Sequence, residues 1–184
     1  MVNSGIFIAT NEIKNAYSLR EQLIKLGYRV VGTATFTDDV MAKIEESKPD
    51  LVLTDINLNG ARGGIKTGEL VHSSLNLPVI YLTDYASQTT IQRAGSTGPF
   101  GYIFRPYDEK QIYATIETAL IRYRLEAELR EGRRWLNAVL NGINDGVIAL
   151  DKHGEIRFIN PIARQLTGWS EMETMGKTLY QVFM

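Results

Sequence analysis

The chain has 184 residues, 44% of them hydrophobic, and 20 Lys and Arg against 21 Asp and Glu give a net charge of −1. That length suits one full domain plus part of another, and the near-neutral charge argues against nucleic acid or an anionic membrane surface as a partner. Cys is absent, which excludes disulfides, thiolate-bound zinc and thiol catalysis and predicts a cytoplasmic location.

The sequence also argues against a membrane-spanning helix, a signal peptide and a histidine metal site. There is no run of 18 apolar residues, so we expect no membrane-spanning helix. The amino terminus lacks a basic region followed by an apolar stretch, so we expect no signal peptide. His72 and His153 stand far apart in the sequence, which argues against a histidine metal site.

Short apolar strands alternate with amphipathic helices over about the first 125 residues. The spacing of the leucines predicts a first helix that stops at Gly27, and Thr37 is predicted to cap a second helix that ends before Pro49. A glycine-containing loop leads to a third helix. Five strands are predicted: Ile6 to Ala9, Arg29 to Val31, Leu51 to Thr54, Pro78 to Leu82 and Phe100 to Phe104.

This alternation predicts a doubly wound α/β domain with a five-stranded parallel sheet. Asp55 then lies at the carboxyl edge of the third strand, with Thr83 and Arg105 after the fourth and fifth strands. Ligands and chemistry gather at this edge in open α/β sheets. The alternative is that Asp55 merely begins a turn, where Asp is common.

After Pro106 the pattern predicts one long helix, with Asp108 as its cap and mixed charge between Arg122 and Arg134. One interpretation is a solvated helical linker. The other, which we favour, is a homodimer through the helix over residues 108–140. Its seam would be apolar and is weakened by Gly132; the seam residues are Leu125, Leu129, Leu136 and Val139.

From Asn141 the sequence becomes β-like. Gly146 to Leu150 and Glu155 to Ile159 predict two strands of a hairpin, with His153 exposed in the turn between them. Asn160 is predicted to cap a short helix that has Pro161 at its first position.

Residues 5–125 resemble a response-regulator receiver domain. The resemblance is carried by residues at matching strand ends, in the right order: Glu12, Asp55 in LVLTDINL, Thr83 in PVIYLTD, and Tyr102, Arg105 and Pro106 in GYIFRP. It implies a flavodoxin-like strand order of 2-1-3-4-5 and a cis peptide before Pro106. It also implies that Asp55 accepts a phosphoryl group from a histidine kinase or phosphotransfer protein, with Thr83 and Tyr102 as the switch pair.

The family's magnesium site looks degenerate in this sequence. In the family an acidic pair after the first strand, the acceptor Asp and the carbonyl two residues later face Mg²⁺, and a Lys touches the phosphoryl group. The matching positions are Thr10, Asn11, Asp55, Asn57 and Arg105. The usual formal charge of −2 becomes zero, although Glu12 and Asp84 are near in sequence. We therefore predict weak or lost Mg²⁺ binding, with Asp55, Asn57 and Asn11 as the remaining ligands.

Arg105 has two interpretations of its own. Because Arg is always charged and bidentate toward carboxylates, it would pair directly with Asp55 in the absence of a metal. Alternatively its head reaches solvent while its stem packs on the sheet. Asp84 would repel an incoming phosphoryl group unless it turns outward.

Residues 134–184 resemble the first half of a PAS sensor domain, on the residues Asp145 to Leu150, the turn at 152–154, Ile159 to Pro161, Leu166 to Trp169, and Gly176 with Lys177. We predict three regions: a receiver domain over 1–125, a helical linker over 126–140 and a partial α+β PAS domain over 141–184. The chain is expected to be no enzyme itself, but a piece of a longer signalling protein, such as a sensor kinase whose catalytic part is absent.

Two functions follow from the resemblance. The first is a receiver module of a two-component phosphorelay, with phosphorylation at Asp55 relayed through the last helix to the PAS sensor. The alternative is a pseudo-receiver that serves as a phosphorylation-independent interaction or dimerisation module. A flavin- or nucleotide-binding enzyme is disfavoured, because the loop after the first strand has no glycines to let a phosphate approach the backbone.

Overall fold

The computed structural model describes residues 3–59, 63–84 and 88–183. The chain divides into two compact units, residues 1–125 and 126–184. The first unit contains five strands, which are β1 Gly5–Ala9, β2 Arg29–Ala34, β3 Leu51–Asp55, β4 Val79–Thr83 and β5 Gly101–Phe104. Its helices are α1 Ile13–Lys25, α2 Thr37–Ser47, α3 Gly63–Leu75, α4 Gln88–Gly95 and the first half of α5 Glu109–Gly142.

The strands form one sheet in the order β2-β1-β3-β4-β5, and every neighbouring pair is parallel. This confirms the predicted flavodoxin-like fold. The register pairs Ala9 with Thr54, Asp55 with Leu82, and Thr83 with Phe104. The residues at these strand ends therefore meet along a single edge of the sheet.

A hydrophobic core covers each face of the sheet. One core is formed with α1 and α5, through residues such as Leu19 and Ile112, and the other with α2 and α3, through residues such as Ile44 and Val71. Strands β1, β3 and β4 are buried along their whole length, which is why they read as unbroken apolar runs.

Several predicted boundaries differ from the structure. The fourth strand runs from Val79 to Thr83, and the second continues to Ala34. Thr37 is the first residue of α2 rather than its cap; Phe36 holds the cap position without a side-chain hydrogen bond. The reason is a tertiary contact, since Phe36 forms a parallel bridge with Asn59 and the Thr37 N–H donates to the Asn59 carbonyl.

The long helix α5 has 34 residues and runs on to Gly142, beyond the end that the periodicity predicts. Its predicted cap is confirmed, because the Asp108 carboxylate accepts a hydrogen bond from the Gln111 N–H at 3.2 Å. The peptide bond between Arg105 and Pro106 is cis, as the resemblance implies.

The second unit begins with the later part of α5 and continues as an antiparallel hairpin. The hairpin consists of β6 Ile148–Leu150 and β7 Ile156–Ile159, and three short helices follow, α6 Pro161–Thr167, α7 Glu171–Thr174 and α8 Leu179–Phe183. His153 is exposed in the turn, as predicted.

Asn160 organises this unit. Its side chain is fully buried, and its oxygen accepts from the N–H groups of Val147 and Ala163. Its amide nitrogen donates to the carbonyls of Leu140 and Asp145. The predicted helix cap is therefore confirmed, and the same amide also joins the end of α5 to the start of β6.

Within the described part of the chain, no helix combines the length and the apolar character needed to cross a bilayer.

Gly64 offers a test of how tightly α3 sits against the sheet edge. A Cβ at this position would overlap the carbonyl oxygen of Asp55 and lie 2.7 Å from that of Ile56. Both are backbone atoms, which cannot move aside as the end of a flexible side chain could. We expect Gly64→Ala to lower the free energy of unfolding by about 1–3 kcal/mol in urea denaturation. The matched control is Gly95→Ala, whose Cβ would meet only the Tyr102 hydroxyl at 3.6 Å and should change stability by less than about 1 kcal/mol. Equal effects at the two positions would contradict the close approach.

Candidate functional site

The carboxyl edge of the sheet opens into a cleft of about 230 Å³. Strands β1, β3, β4 and β5 each contribute residues to it from their last position or from the loop that follows. The lining residues are Asn11, Glu12, Asn15, Asp55, Asn57, Leu82, Thr83, Asp84 and Arg105. The structure therefore brings together the residues that the sequence proposed for the site, apart from Tyr102.

Asp55 is the last residue of β3, and its side chain is only 6% exposed. One carboxylate oxygen accepts hydrogen bonds from the Thr10 hydroxyl and from the Asn11 N–H, the latter at 3.2 Å. The other oxygen forms an ion pair with Nη2 of Arg105. Both oxygens of this buried carboxylate thus have donors from the protein itself, as a buried charge requires.

Arg105 uses its guanidinium group at three places. Besides Asp55, it donates from Nη1 to Asp84 at 3.1 Å and from Nε to the Tyr107 hydroxyl at 2.9 Å. Burial alone would lower the pKa of the guanidinium, but the Tyr107 hydrogen bond and the charge of Asp55 outweigh it and raise that pKa. Arg105 is therefore a permanent cation in a fixed position, with 22% of its side chain exposed.

Tyr107 is a site residue that the sequence did not reveal. Its hydroxyl accepts the Nε hydrogen bond, and the guanidinium carbon lies 5.6 Å from the centre of its ring. Burial raises the pKa of Tyr107, although Arg105 opposes that shift. The indication that the sequence offers is an aromatic residue two positions after the basic residue.

Asn11 lines the cleft, and its side-chain amide also joins the loop after β1 to the loop after β3. Its amide nitrogen donates to the carbonyl of Asn57, and its amide oxygen accepts from the N–H of Asn59. Only this orientation of the amide satisfies both partners. The carbonyl of Asn57 and the side-chain oxygen of Asn11 are two of the predicted metal ligands, and each is already engaged in a hydrogen bond.

The other carboxylates near the cleft do not rebuild an acidic cluster around Asp55. Asp84 is paired with Arg105 and has 73% of its side chain exposed, while Glu12 accepts a hydrogen bond from Asn15. Across the described residues there is no group of three or more His, Cys, Asp or Glu side chains placed to hold a metal ion. Asp55 is paired with a guanidinium and its neighbours Thr10 and Asn11 are neutral, whereas a strong Mg²⁺ site needs several free oxygen ligands.

The two residues of the predicted switch lie on one face of the sheet but are separately engaged. Thr83 ends β4, and its hydroxyl donates to the carbonyl of Asp84 at 2.8 Å rather than to Asp55. Tyr102 pairs with Tyr81 in the sheet, and its hydroxyl approaches the carbonyl of Ile91 in α4 at 3.5 Å. Burial raises the pKa of Tyr102. In this conformation Tyr102 contacts α4 and Thr83 contacts the loop after β4.

Comparison with protein families identifies two regions of the chain. The response regulator receiver domain matches residues 6–117. The PAS fold matches residues 135–184. The helix α5 carries residues of both matches and of the interval between them.

Curated relatives resemble about two thirds of the chain. The transcriptional regulatory protein PdtaR of Mycobacterium tuberculosis is 29% identical over 119 residues, which is 65% of this chain and 58% of that protein. The chain therefore spans somewhat more than half of the length of this relative.

Solved structures match a similar share of the chain. The signal receiver domain of a modulated diguanylate cyclase from Desulfovibrio desulfuricans is 33% identical with a TM-score of 0.64, over 67% of this chain and 98% of that one. The N-terminal domain of a response regulator/sensory box/GGDEF protein from Carboxydothermus hydrogenoformans is 26% identical with a TM-score of 0.61, over 67% and 98%.

A double-mutant cycle measures how strongly the side chains of Asp55 and Arg105 are coupled in their contribution to the free energy of unfolding. Arg105→Met leaves a buried carboxylate without its cation, so we expect the free energy of unfolding to fall by about 3 kcal/mol in urea denaturation. Adding Asp55→Asn removes the orphaned charge and should restore most of that loss. Arg105→Lys, which keeps the charge, is the matched control and should lose less. If the double variant is as unstable as the sum of the two single variants, the two side chains are not coupled.

Proposed function

This chain belongs to the response-regulator receiver family, and from that premise we propose that its receiver domain is an interaction module whose state does not depend on phosphorylation. In this proposal Asp55 is held in an ion pair with Arg105 and does not take part in the metal-dependent phosphoryl transfer of the family. The protein would be a cytoplasmic signalling component that joins a receiver domain to a PAS region. Residues 126–140 would be the helical linker between them.

The contacts of Asp55 carry this proposal. An aspartate oxygen that attacks a phosphoryl group must be free, and the charge of the incoming group must be compensated by cations placed around it. Here Arg105 occupies one oxygen of Asp55 while Thr10 and the Asn11 N–H occupy the other. Breaking these contacts would leave the buried carboxylate of Asp55 without partners before the reaction begins.

The charges near the cleft support the same conclusion. Three carboxylates line the cleft, those of Glu12, Asp55 and Asp84, and Arg105 contributes one positive charge that pairs with the last two. A receiver that binds Mg²⁺ gathers its carboxylates around the acceptor so that binding of the dication is favourable. In this chain the two positions that would supply the acidic pair are the neutral Thr10 and Asn11. Asp84 is instead mostly exposed and paired with Arg105, and Glu12 accepts from Asn15, so the negative charge is not concentrated at Asp55.

A second candidate function is the phosphoacceptor receiver of a phosphorelay, with a histidine kinase or phosphotransfer protein as the partner. The observation in its favour is position: Asp55, Thr83 and Arg105 line one open cleft at the carboxyl edge of the sheet. Phosphorylated Asp55 would draw Thr83 toward it, Tyr102 would follow, and α5 would relay the change toward the PAS region.

Phosphorylation chemistry separates the two candidates. We expect the protein, incubated with acetyl phosphate and Mg²⁺, to show no phosphoryl adduct in its intact mass, because Asp55 stays paired and the acidic pair is missing. The control is a receiver with a complete acidic pair, treated in parallel. An adduct that disappears in Asp55→Asn would reject the phosphorylation-independent function in favour of the phosphoacceptor.

Metal binding can be restored if the charge argument is right. Asn11→Asp combined with Arg105→Lys adds a carboxylate, removes the amide donor that occupies the Asn57 carbonyl, and replaces the bidentate cation. We expect Mg²⁺ affinity to rise about tenfold or more in titration calorimetry, equivalent to about 1.4 kcal/mol. Adding Asp55→Asn to this variant should abolish the gain. An unchanged affinity in the double variant would show that charge does not control the site.

A further inference from the structure

The later part of α5 presents an exposed apolar stripe. Four residues of this stripe are between 42% and 74% exposed although all are large and apolar; they are Leu125, Leu129, Leu136 and Val139. None belongs to the buried residues of α5, which all precede Leu125. An exposed stripe of this kind on a long helix is typical of a surface that another helix covers.

The spacing of the stripe follows a heptad repeat. Steps of four and three residues lead from Leu125 to Leu129, to Gly132, to Leu136 and to Val139. With Leu129 at position a, the d positions are Leu125, Gly132 and Val139, and a second a position is Leu136. A repeat with a period of 3.5 residues keeps such a seam on one side of two supercoiled helices.

The charged residues beside the seam favour a parallel over an antiparallel partner helix. In this register Glu128 is at position g and Arg133 is at position e, and both are exposed. In a parallel, in-register pair, position g of one helix lies beside position e of the next heptad in its partner, five residues further on. Glu128 of each chain would then lie beside Arg133 of the other, twice across the two-fold axis. An antiparallel pair brings g beside g and e beside e, and so brings like charges together.

We propose that a second copy of this chain docks on the stripe, as a parallel, in-register two-helix coiled coil over residues 125–142. This deepens the proposed function and rests on it, since it names the partner that the interaction module would hold. The apolar seam and the charges beside it are self-complementary, which a symmetric homodimer requires.

Gly132 is the weak point of the seam and supplies an independent test. A Cβ built there meets no heavy atom within 4 Å, so a larger side chain has room. As a d position it contributes no side chain to the interface, which leaves a gap between Leu129 and Leu136.

Charge reversal tests the arrangement directly. Glu128→Arg puts two cations opposite each other, and Arg133→Glu puts two carboxylates opposite each other, so each variant alone should dimerise about tenfold more weakly in sedimentation equilibrium. An equimolar mixture should recover wild-type affinity, because the heterodimer has two attractive pairs. The matched controls Glu131→Arg and Arg134→Glu make the same charge changes away from the seam and should leave dimerisation unchanged.

The sedimentation results for these variants support or overturn the parallel dimer. Weakened single variants together with a restored mixture support the parallel dimer. A wild-type chain that stays monomeric at high concentration, a trimer, or a mixture that is no tighter than its components would overturn it. None of these results depends on Asp55, so the phosphodonor experiment tests the proposed function separately.

Filling the gap in the seam gives a second measurement. Gly132→Leu adds an apolar side chain at the d position, whereas Gly132→Ala raises helix propensity without filling the interface. We expect the Leu variant to dimerise about tenfold more tightly than the Ala variant in the same sedimentation experiment. Equal affinities for the two variants would show that residue 132 does not face a partner.

Discussion

A buried carboxylate must have a compensating charge, and this requirement organises the edge of the sheet around Asp55. In its family the compensation comes largely from a dication held by neighbouring carboxylates. Here it comes from the guanidinium of Arg105, with the hydroxyl of Thr10 as a neutral donor on the other oxygen. A covalently attached cation makes this compensation permanent, because an arginine is always charged.

The same constraint accounts for the residues around the pair. Arg105 is held in place by Tyr107 and Asp84 as well as by Asp55. The amide of Asn11 bonds two backbone groups of the segment after β3, those of Asn57 and Asn59. Each departure from the family's pattern thus has a structural consequence, and together they describe one altered site.

The sequence predicted the strands and helices well because burial leaves local patterns, whereas the strand order followed from the resemblance to the receiver family. Unbroken apolar runs, their turns and the position of Asp55 are readable from neighbouring residues alone. The role of Asn11 was not readable, since its partners lie 46 and 48 positions away and only the register of the sheet brings them close. The position of Thr37 inside α2 has the same cause, because Asn59 pairs with the chain just before that helix. The role of Tyr107 depends on the position of the Arg105 guanidinium, which the sequence does not reveal.

Asn160 has a mechanical consequence for the second unit. Its buried amide donates to the carbonyls of Leu140 and Asp145 and accepts from the N–H groups of Val147 and Ala163. A buried polar group that loses one partner costs more than the bond itself is worth. The last turn of α5 is therefore linked through Asn160 to the hairpin and to α6. A rotation of the helix about its axis would have to move these elements with it or break these hydrogen bonds.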